Sequence, residues 1–396
     1  MRVLLLHDYG TLSGGAEVMI VALRDALRRR SHEAILFTST ALPLPLPLVS
    51  DQQCFGTVSP LRRVLQAANP HAAARLRTVL REFRPDVVHV KMFLTQLSPL
   101  VLPLLRPFPS LLHVINYNLV CPINTKTLPD GTPCRHRAGI ACHAAGCMSW
   151  PGVARALVQR RLTALDVFDR VVSNSEWVAR RLRAEGIRVD EAIPNGVPMR
   201  PPRPPLGTTP VVGFAGRLVP KKGVDVLLRA IALLRERMPE VRLIVAGDGP
   251  ERIGLERLAR ELGIRDAVEF AGHLAQDEME RALGTAWVQA VPSRWEEPFG
   301  LVAAEAMMRG TAVVASAGGG LAEQVVPGET GELVPSGDAG ALAAALEGVV
   351  RDHGHAERLG DAARSRALAE STIDRHVDRI VAAYAECLRA KGRPGT

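Results

Sequence analysis

Residues 2–7, Arg2-Val3-Leu4-Leu5-Leu6-His7, form an unbroken apolar run that leads into a glycine turn, Gly10 to Gly15. A helical stretch over residues 16–30 and a second apolar run over 33–38 follow. Continuous rather than alternating apolar strands need cover on both faces. Strands that alternate with helices obtain that cover in a parallel sheet sandwiched by the helices. The chain is therefore read as α/β.

The unit repeats. Residues 86–90, 110–115 and 170–173 read as further strands, the last followed by Asn174-Ser175 as a helix cap. Residues 198–210 hold six prolines and read as a linker or hinge. Beyond it, strands are expected at 210–215, 241–246, 268–270, 286–291 and 312–315, with helices at 223–237, 251–262, 300–309 and 339–351. The expected division is a first Rossmann-like domain over 1–198 and a second over 209–371. A final helix over 372–389 exceeds what the second sheet needs. Two such units place ligands at the strand C-termini and in a cleft between the domains, which should close on the ligand.

Composition limits the partners. A chain of 396 residues with 47% hydrophobic and 23% charged residues is a globular protein of two or three domains. Its net charge of +8 is uneven: residues 1–208 carry 26 Lys+Arg against 14 Asp+Glu, and the remainder 23 against 27. No interleaved basic and aromatic surface accompanies the charge, so nucleic acid is excluded as a partner. The most apolar later stretch, residues 97–115, is broken by Pro99, Pro103, Arg106, Pro107 and Pro109, and the N-terminus lacks a signal-peptide layout. The expected location is cytoplasmic. The basic segment from Arg62 to Arg84 is read either as a solvated helix or as a peripheral contact with anionic lipid at the inner membrane face.

Two motifs carry chemistry. In Glu297-Pro-Phe299-Gly300-Leu301-Val-Ala-Ala-Glu305, two acids flank a helix start. Free amides there suit an anion, and the flanking carboxylates suit hydroxyls at the two ends of a nucleotide sugar. In Gly216-Arg217-Leu-Val-Pro-Lys221-Lys222-Gly223, cations stand on a loop between a strand and a helix. Arg217 and Lys222 can neutralise a diphosphate without a metal, and no Asp-x-Asp motif occurs in the chain.

With these residues the chain resembles glycosyltransferase family 4, the retaining family of the GT-B fold. The likeness runs through Gly14-Gly15-Ala16-Glu17, Pro85-Asp86-Val-Val-His89, Ser173-Asn-Ser175, Pro194-Asn195-Gly196-Val197, Ala246-Gly247-Asp248-Gly249 and Gly319-Gly320-Leu321-Ala322-Glu323 as well. It implies transfer of a sugar from a nucleoside-diphosphate sugar, UDP- or GDP-linked, to a glycan, lipid-linked or natural-product acceptor, with no cofactor needed for catalysis. Arg217 and Lys222 would hold the diphosphate. Glu297 and the amides of Phe299, Gly300 and Leu301 would hold the donor sugar, and Glu305 the ribose. Gly14 and Gly15 would allow close backbone approach from the first domain, and the last helix would return to that domain. Competing readings are an epimerase or hydrolase of nucleotide sugars on the same fold, or a non-catalytic nucleotide-sugar-binding partner.

Two features depart from the common pattern. Ile115 stands where many relatives carry a sugar-contacting His, leaving His113, Asn116 and Asn118 as acceptor-side candidates. Cys121, Cys134, Cys142 and Cys147 cluster within 27 residues of a segment that resembles an insertion seen in a subset of the family. Four thiolates suit structural zinc. Free thiols in an ordered loop, or disulfides in an oxidising compartment, are the alternatives.

Overall fold

The computed structural model describes residues 1–392 and separates into two compact units: 1–196 with the last helix, and Val197–Thr372. In the first unit the strands are β1 (Arg2–Tyr9), β2 (Glu33–Ser39), β3 (Gln52–Cys54), β4 (Val87–Val90), β5 (Ser110–Val114), β6 (Arg170–Ser173) and β7 (Glu191–Ala192). They form one parallel sheet in the order β3-β2-β1-β4-β5-β6-β7. Leu5 pairs with Leu36 on one side and His89 on the other, so β1 lies inside the sheet, as its unbroken apolar run requires.

The helices of this unit are α1 (Gly15–Arg29), α2 (Arg62–Leu65), α3 (Pro70–Phe83), α4 (Ile140–Ala144), α5 (Trp150–Leu162) and α6 (Glu176–Arg183). The basic segment from Arg62 to Arg84 is thus two helices rather than one. Asn69 breaks it: its side chain accepts a hydrogen bond from the Ala72 amide at 3.0 Å, and Pro70 fills the first helical position. On α3, Leu76, Val79, Leu80 and Phe83 face the core, and Arg77 and Arg81 face water.

The second unit holds β8 (Val211–Ala215), β9 (Arg242–Ala246), β10 (Val268–Gly272), β11 (Val288–Val291), β12 (Ala312–Ser316) and β13 (Gly331–Val334). These form a parallel sheet ordered β10-β9-β8-β11-β12-β13. Around it lie α7 (Val224–Arg235), α8 (Arg252–Glu261), α9 (Gln276–Leu283), α10 (Leu301–Arg309), α11 (Leu321–Gln324), α12 (Ala339–Val350) and α13 (His353–Glu370). Phe214, Leu227, Ile231, Leu243 and Val245 are part of its core.

The proline-rich segment is not a free linker but belongs to this second unit. The Arg203 amide donates to the Arg309 carbonyl at 2.8 Å, its guanidinium reaches the Gly310 carbonyl, and Leu206 is buried in the core. Prolines fix an extended backbone, and here that backbone is held along a folded surface.

The last helix, α14 (Ile373–Ala390), belongs to the first unit. The Tyr384 hydroxyl and His89 Nδ1 are 2.6 Å apart, and the Cys387 thiol points at the Ser110 carbonyl. Among the described residues no helix is long and apolar enough to cross a membrane.

Candidate functional site

The turn that precedes α10 is built from several chain segments. Gly319 adopts φ +68°, and a Cβ there would lie 2.1 Å from the Glu297 carbonyl oxygen, so only glycine fits. The Gly320 amide donates to that same carbonyl at 2.7 Å, and the Gln324 side chain donates to the Phe299 carbonyl. The Gly-Gly turn after β12 therefore clamps residues 297–300, and Gly300 caps α10 with φ +94°.

This turn fixes Glu297, which is buried. Its carboxylate pairs with Lys222 Nζ and accepts the Ser293 hydroxyl at 2.8 Å. Burial opposes charge on Glu297, but the Lys222 ammonium and its hydrogen bonds outweigh it and hold the carboxyl below the usual range. Lys222 is positioned by Gly223, whose φ of +69° closes the preceding turn. A Cβ there would meet the Pro292 carbonyl at 2.0 Å, so the cation loop and the glutamate strand end are in direct backbone contact.

Lys221 and Arg217 complete the cationic group. Lys221 Nζ lies 3.9 Å from the centre of the Trp295 ring. Burial pulls the Lys221 amine below its usual value, Glu297 opposes that, and Lys222 and Arg217 reinforce it. Arg217 is exposed. Three cations and one buried carboxylate thus converge at the C-terminal ends of β8 and β11, where ligands bind in open α/β sheets. Lys221, Ser293 and Trp295 join the site beyond the residues that the motifs single out. Lys221 lies inside the cation motif, and Ser293 and Trp295 stand four and two residues before Glu297.

Glu305 sits just over one turn into α10, half-buried, with no side-chain hydrogen bond or ion pair among the described residues. Burial pushes its carboxyl up to about 7, with the nearby Glu280 adding to the rise and Arg309 and Arg200 opposing it. Arg309 is already engaged by Glu280 at 2.9 Å and Gln289 at 2.8 Å, so it does not neutralise Glu305. An unpartnered carboxyl at a helix start is a ready acceptor for hydroxyls.

In the first unit Gly14 caps α1 with φ −169°, an extended conformation open to any residue, and a Cβ there would meet only the Glu17 side chain. Glycine is not required there by backbone conformation. His113, expected on the acceptor side, is not exposed there. It lies wholly buried on β5 between the rings of His89 and His376, 5.6 and 5.7 Å away, because its strand position points it under α14. Asn116 and Asn118 are half-exposed, with the Asn116 side chain accepting the Asn118 amide at 3.0 Å. Ile115 is buried.

The four clustered cysteines line one small pocket of ≈ 10 Å³ together with Ile123, Leu128 and Met148. The segment is anchored by Lys126, whose ammonium joins Glu185 at 3.0 Å and the His136 carbonyl at 2.8 Å. All four are free thiols. Among the described residues no group of three or more His, Cys, Asp or Glu side chains is placed as a metal site requires.

The comparisons with known proteins bear on family and fold. The family model described as Glycosyl transferase 4-like domain matches residues 14–196, and that described as Glycosyl transferases group 1 matches 199–366. The chain belongs to the family 4 glycosyltransferases, and its two parallel α/β units are those of the GT-B fold. It is similar to the D-inositol 3-phosphate glycosyltransferase of Mycobacterium marinum, 37% identical over 245 residues, 56% of this chain and 50% of that protein. It is also similar to the GDP-mannose-dependent alpha-(1-6)-phosphatidylinositol monomannoside mannosyltransferase of Mycolicibacterium smegmatis, 37% identical over 41% of this chain and 44% of that protein. The chain spans about half the length of the curated relatives it matches. Among solved structures, sucrose-phosphate synthase from Thermosynechococcus elongatus has a TM-score of 0.76 at 25% identity, covering 98% of this chain and 100% of that one. Anabaena Alr3699/HepE in complex with UDP and glucose shares the fold, with a TM-score of 0.69 at 22% identity over 96% and 98% of the two chains.

Proposed function

We propose that the protein transfers a sugar from a nucleoside-diphosphate sugar to a glycan or lipid-linked acceptor with retention of anomeric configuration. The observation that carries this reading is the Lys222–Glu297 pair beneath the turn of α10, with Arg217 and Lys221 beside it. As the bond from the anomeric carbon to the diphosphate breaks, its electron pair goes to the leaving oxygen. Arg217 and Lys222 stabilise the charge that develops there, while Glu297 and the first amides of α10 hold the sugar. Glu305 takes the ribose hydroxyls. No metal is needed in this scheme, and turnover is expected to persist in excess chelator.

Both UDP-sugar and GDP-sugar usage appear in the names of similar proteins, so the donor base is open to a direct screen. The acceptors named for the curated relatives carry a phosphate. A lipid-linked acceptor of that kind would place the reaction at the inner face of a membrane.

The test is release of nucleoside diphosphate and transfer across a panel of UDP-, GDP- and dTDP-sugars, in the wild type and in Glu297→Gln and Lys222→Ala. Loss of one preorganised electrostatic contact lowers rate by roughly 10²–10³. At least a tenfold loss is expected in each variant. Turnover near that of the wild type in both, with unchanged circular dichroism, would refute the site. Nucleotide release without transfer to any acceptor would favour the hydrolase reading.

A further inference from the structure

Helix α5 presents an outward face of unusual chemistry for a protein surface. Trp150, Leu157, Val158 and Leu162 are all exposed, and with Ala154 and Arg161 they recur at intervals of three and four residues along one side of the helix. The inward side buries Gly152 and Val153. The stripe continues beyond the helix. Gln159 donates to the Gln66 carbonyl at 2.9 Å and to the Leu94 carbonyl at 2.6 Å, which ties α5 to the end of α2. On α2 and just before it, Val64 is 63% exposed and Leu61 50%. At the other end Trp150 packs on His143 of α4, where Ile140 is 65% exposed.

Cations border this apolar strip. Arg62 and Arg63 immediately precede Val64, and Arg155 faces them from α5: burial and the two guanidinium groups hold it below its usual value. Arg160 and Arg161 are exposed on the last turn of α5. Opposing charge is scarce. No acid lies between Asp51 and Glu82, and Asp130 is the only one between Asp86 and Asp166.

We infer that the α2–α5 face of the first unit docks on the surface of an anionic lipid bilayer. Apolar side chains interleaved with unneutralised arginines are what an interfacial helix presents, the former entering the headgroup–acyl boundary and the latter meeting lipid phosphates. A second copy of the chain does not suit this face. A two-fold contact would set this arginine-bordered face against a copy of itself, and the surrounding segments carry almost no acids to pair with the guanidinium groups. The surface differs from the basic α3, whose exposed side is polar and has no apolar strip to insert.

The test uses the full chain and sedimentation with vesicles, so it is independent of the transferase reading. Binding to phosphatidylcholine vesicles containing about one quarter phosphatidylglycerol is expected at about 100 mM salt, and release at about 1 M, where the Debye length falls to roughly 3 Å. Vesicles of phosphatidylcholine alone should bind at least tenfold more weakly. The triple variant Leu157→Gln, Val158→Gln, Leu162→Gln and the separate triple variant Arg62→Gln, Arg63→Gln, Arg161→Gln should each lose at least tenfold in vesicle binding with unchanged circular dichroism. The inference is overturned by failure to bind anionic vesicles, by equal binding to neutral ones, or by unchanged binding in both variants. It is also overturned by a dimer on size exclusion that the Leu157 triple variant dissociates, which would make the face a contact between copies.

Discussion

Acidification should loosen the attachment of α14, and the size of the effect follows from its buried histidines. His376 on α14 is fully buried, its Nδ1 2.7 Å from the Pro194 carbonyl, and its ring lies over His113. Burial lowers its pKa from 6.5 to about 3. Above pH 6.5 the ring is neutral whether the chain is folded or not, and it costs nothing. As pH falls below 6.5 the unfolded chain takes up a proton that the folded chain refuses down to about 3, so stability is lost across that window. At pH 5 the unfolded state gains about 1.5 pH units of protonation, or about 2 kcal/mol at 1.36 kcal/mol per unit. His7, lowered to about 4 by burial, adds a similar amount. His89 and His113 are shifted the same way. Single domains have only about 5–15 kcal/mol of stability in total, so the effect is large. The variant His376→Asn keeps a side-chain N–H for the Pro194 carbonyl and removes one titrating ring. Hydrogen exchange of α14 peptides in urea, at pH 7.5 and pH 5, isolates this unit from the other. His376→Asn is expected to cost stability at pH 7.5 and to recover about 2 kcal/mol of that difference at pH 5. A wild-type-to-variant difference that stays constant between the two pH values would refute the assignment of a neutral, proton-refusing His376.

Lys91, buried with no hydrogen-bond partner for its amine among the described residues and lowered to about 7 by burial, carries an unneutralised cost at neutral pH that disappears only above its unfolded value of 10.5. Lys91→Met should therefore raise stability at pH 7 by up to about 4 kcal/mol, read from urea midpoints, and the gain should shrink as pH rises toward 10.5. Gly319→Ala should collapse donor turnover and lower the melting temperature of the second unit, because its Cβ strikes the Glu297 carbonyl. A variant with intact turnover would show that the turn does not clamp Glu297. Because the Glu305 carboxyl titrates near 7, nucleoside-diphosphate affinity by calorimetry should weaken as pH falls from 8 to 6, and Glu305→Gln should flatten that dependence.

The α/β architecture was legible because β1, β2 and the strands after them are unbroken apolar runs, and such runs have few ways to be buried. The Glu297 and Lys222 motifs were legible because residue type and loop position together define their chemistry. Where sequence reading failed, the missing information was a distance. Nothing in the spacing of His113 reveals that α14 seals it, since α14 lies more than 250 residues away in the chain. The proline count of residues 198–210 describes backbone stiffness, which is the same for a linker in water and for a strap along a surface. The segment from Arg62 to Arg84 reads as one basic helix until the cap formed by Asn69 and Pro70 is given its local weight. Four cysteines near one another in sequence did not specify whether their sulfurs meet.

The placement of α14 also bears on synthesis. Residues 1–196 and Ile373–Ala390 belong to one unit, with 197–372 interposed. The two ends of the interposed unit lie side by side: Val197 bridges Thr372, and its amide donates to the Ser371 carbonyl at 2.7 Å. On the ribosome the second unit can therefore fold and close its own ends before the first is finished. Until α14 emerges, the face of β4 and β5 that carries His89 and His113 lacks its α14 cover. The earlier-translated half of the protein is thus completed last, and it is the half a chaperone would need to shield.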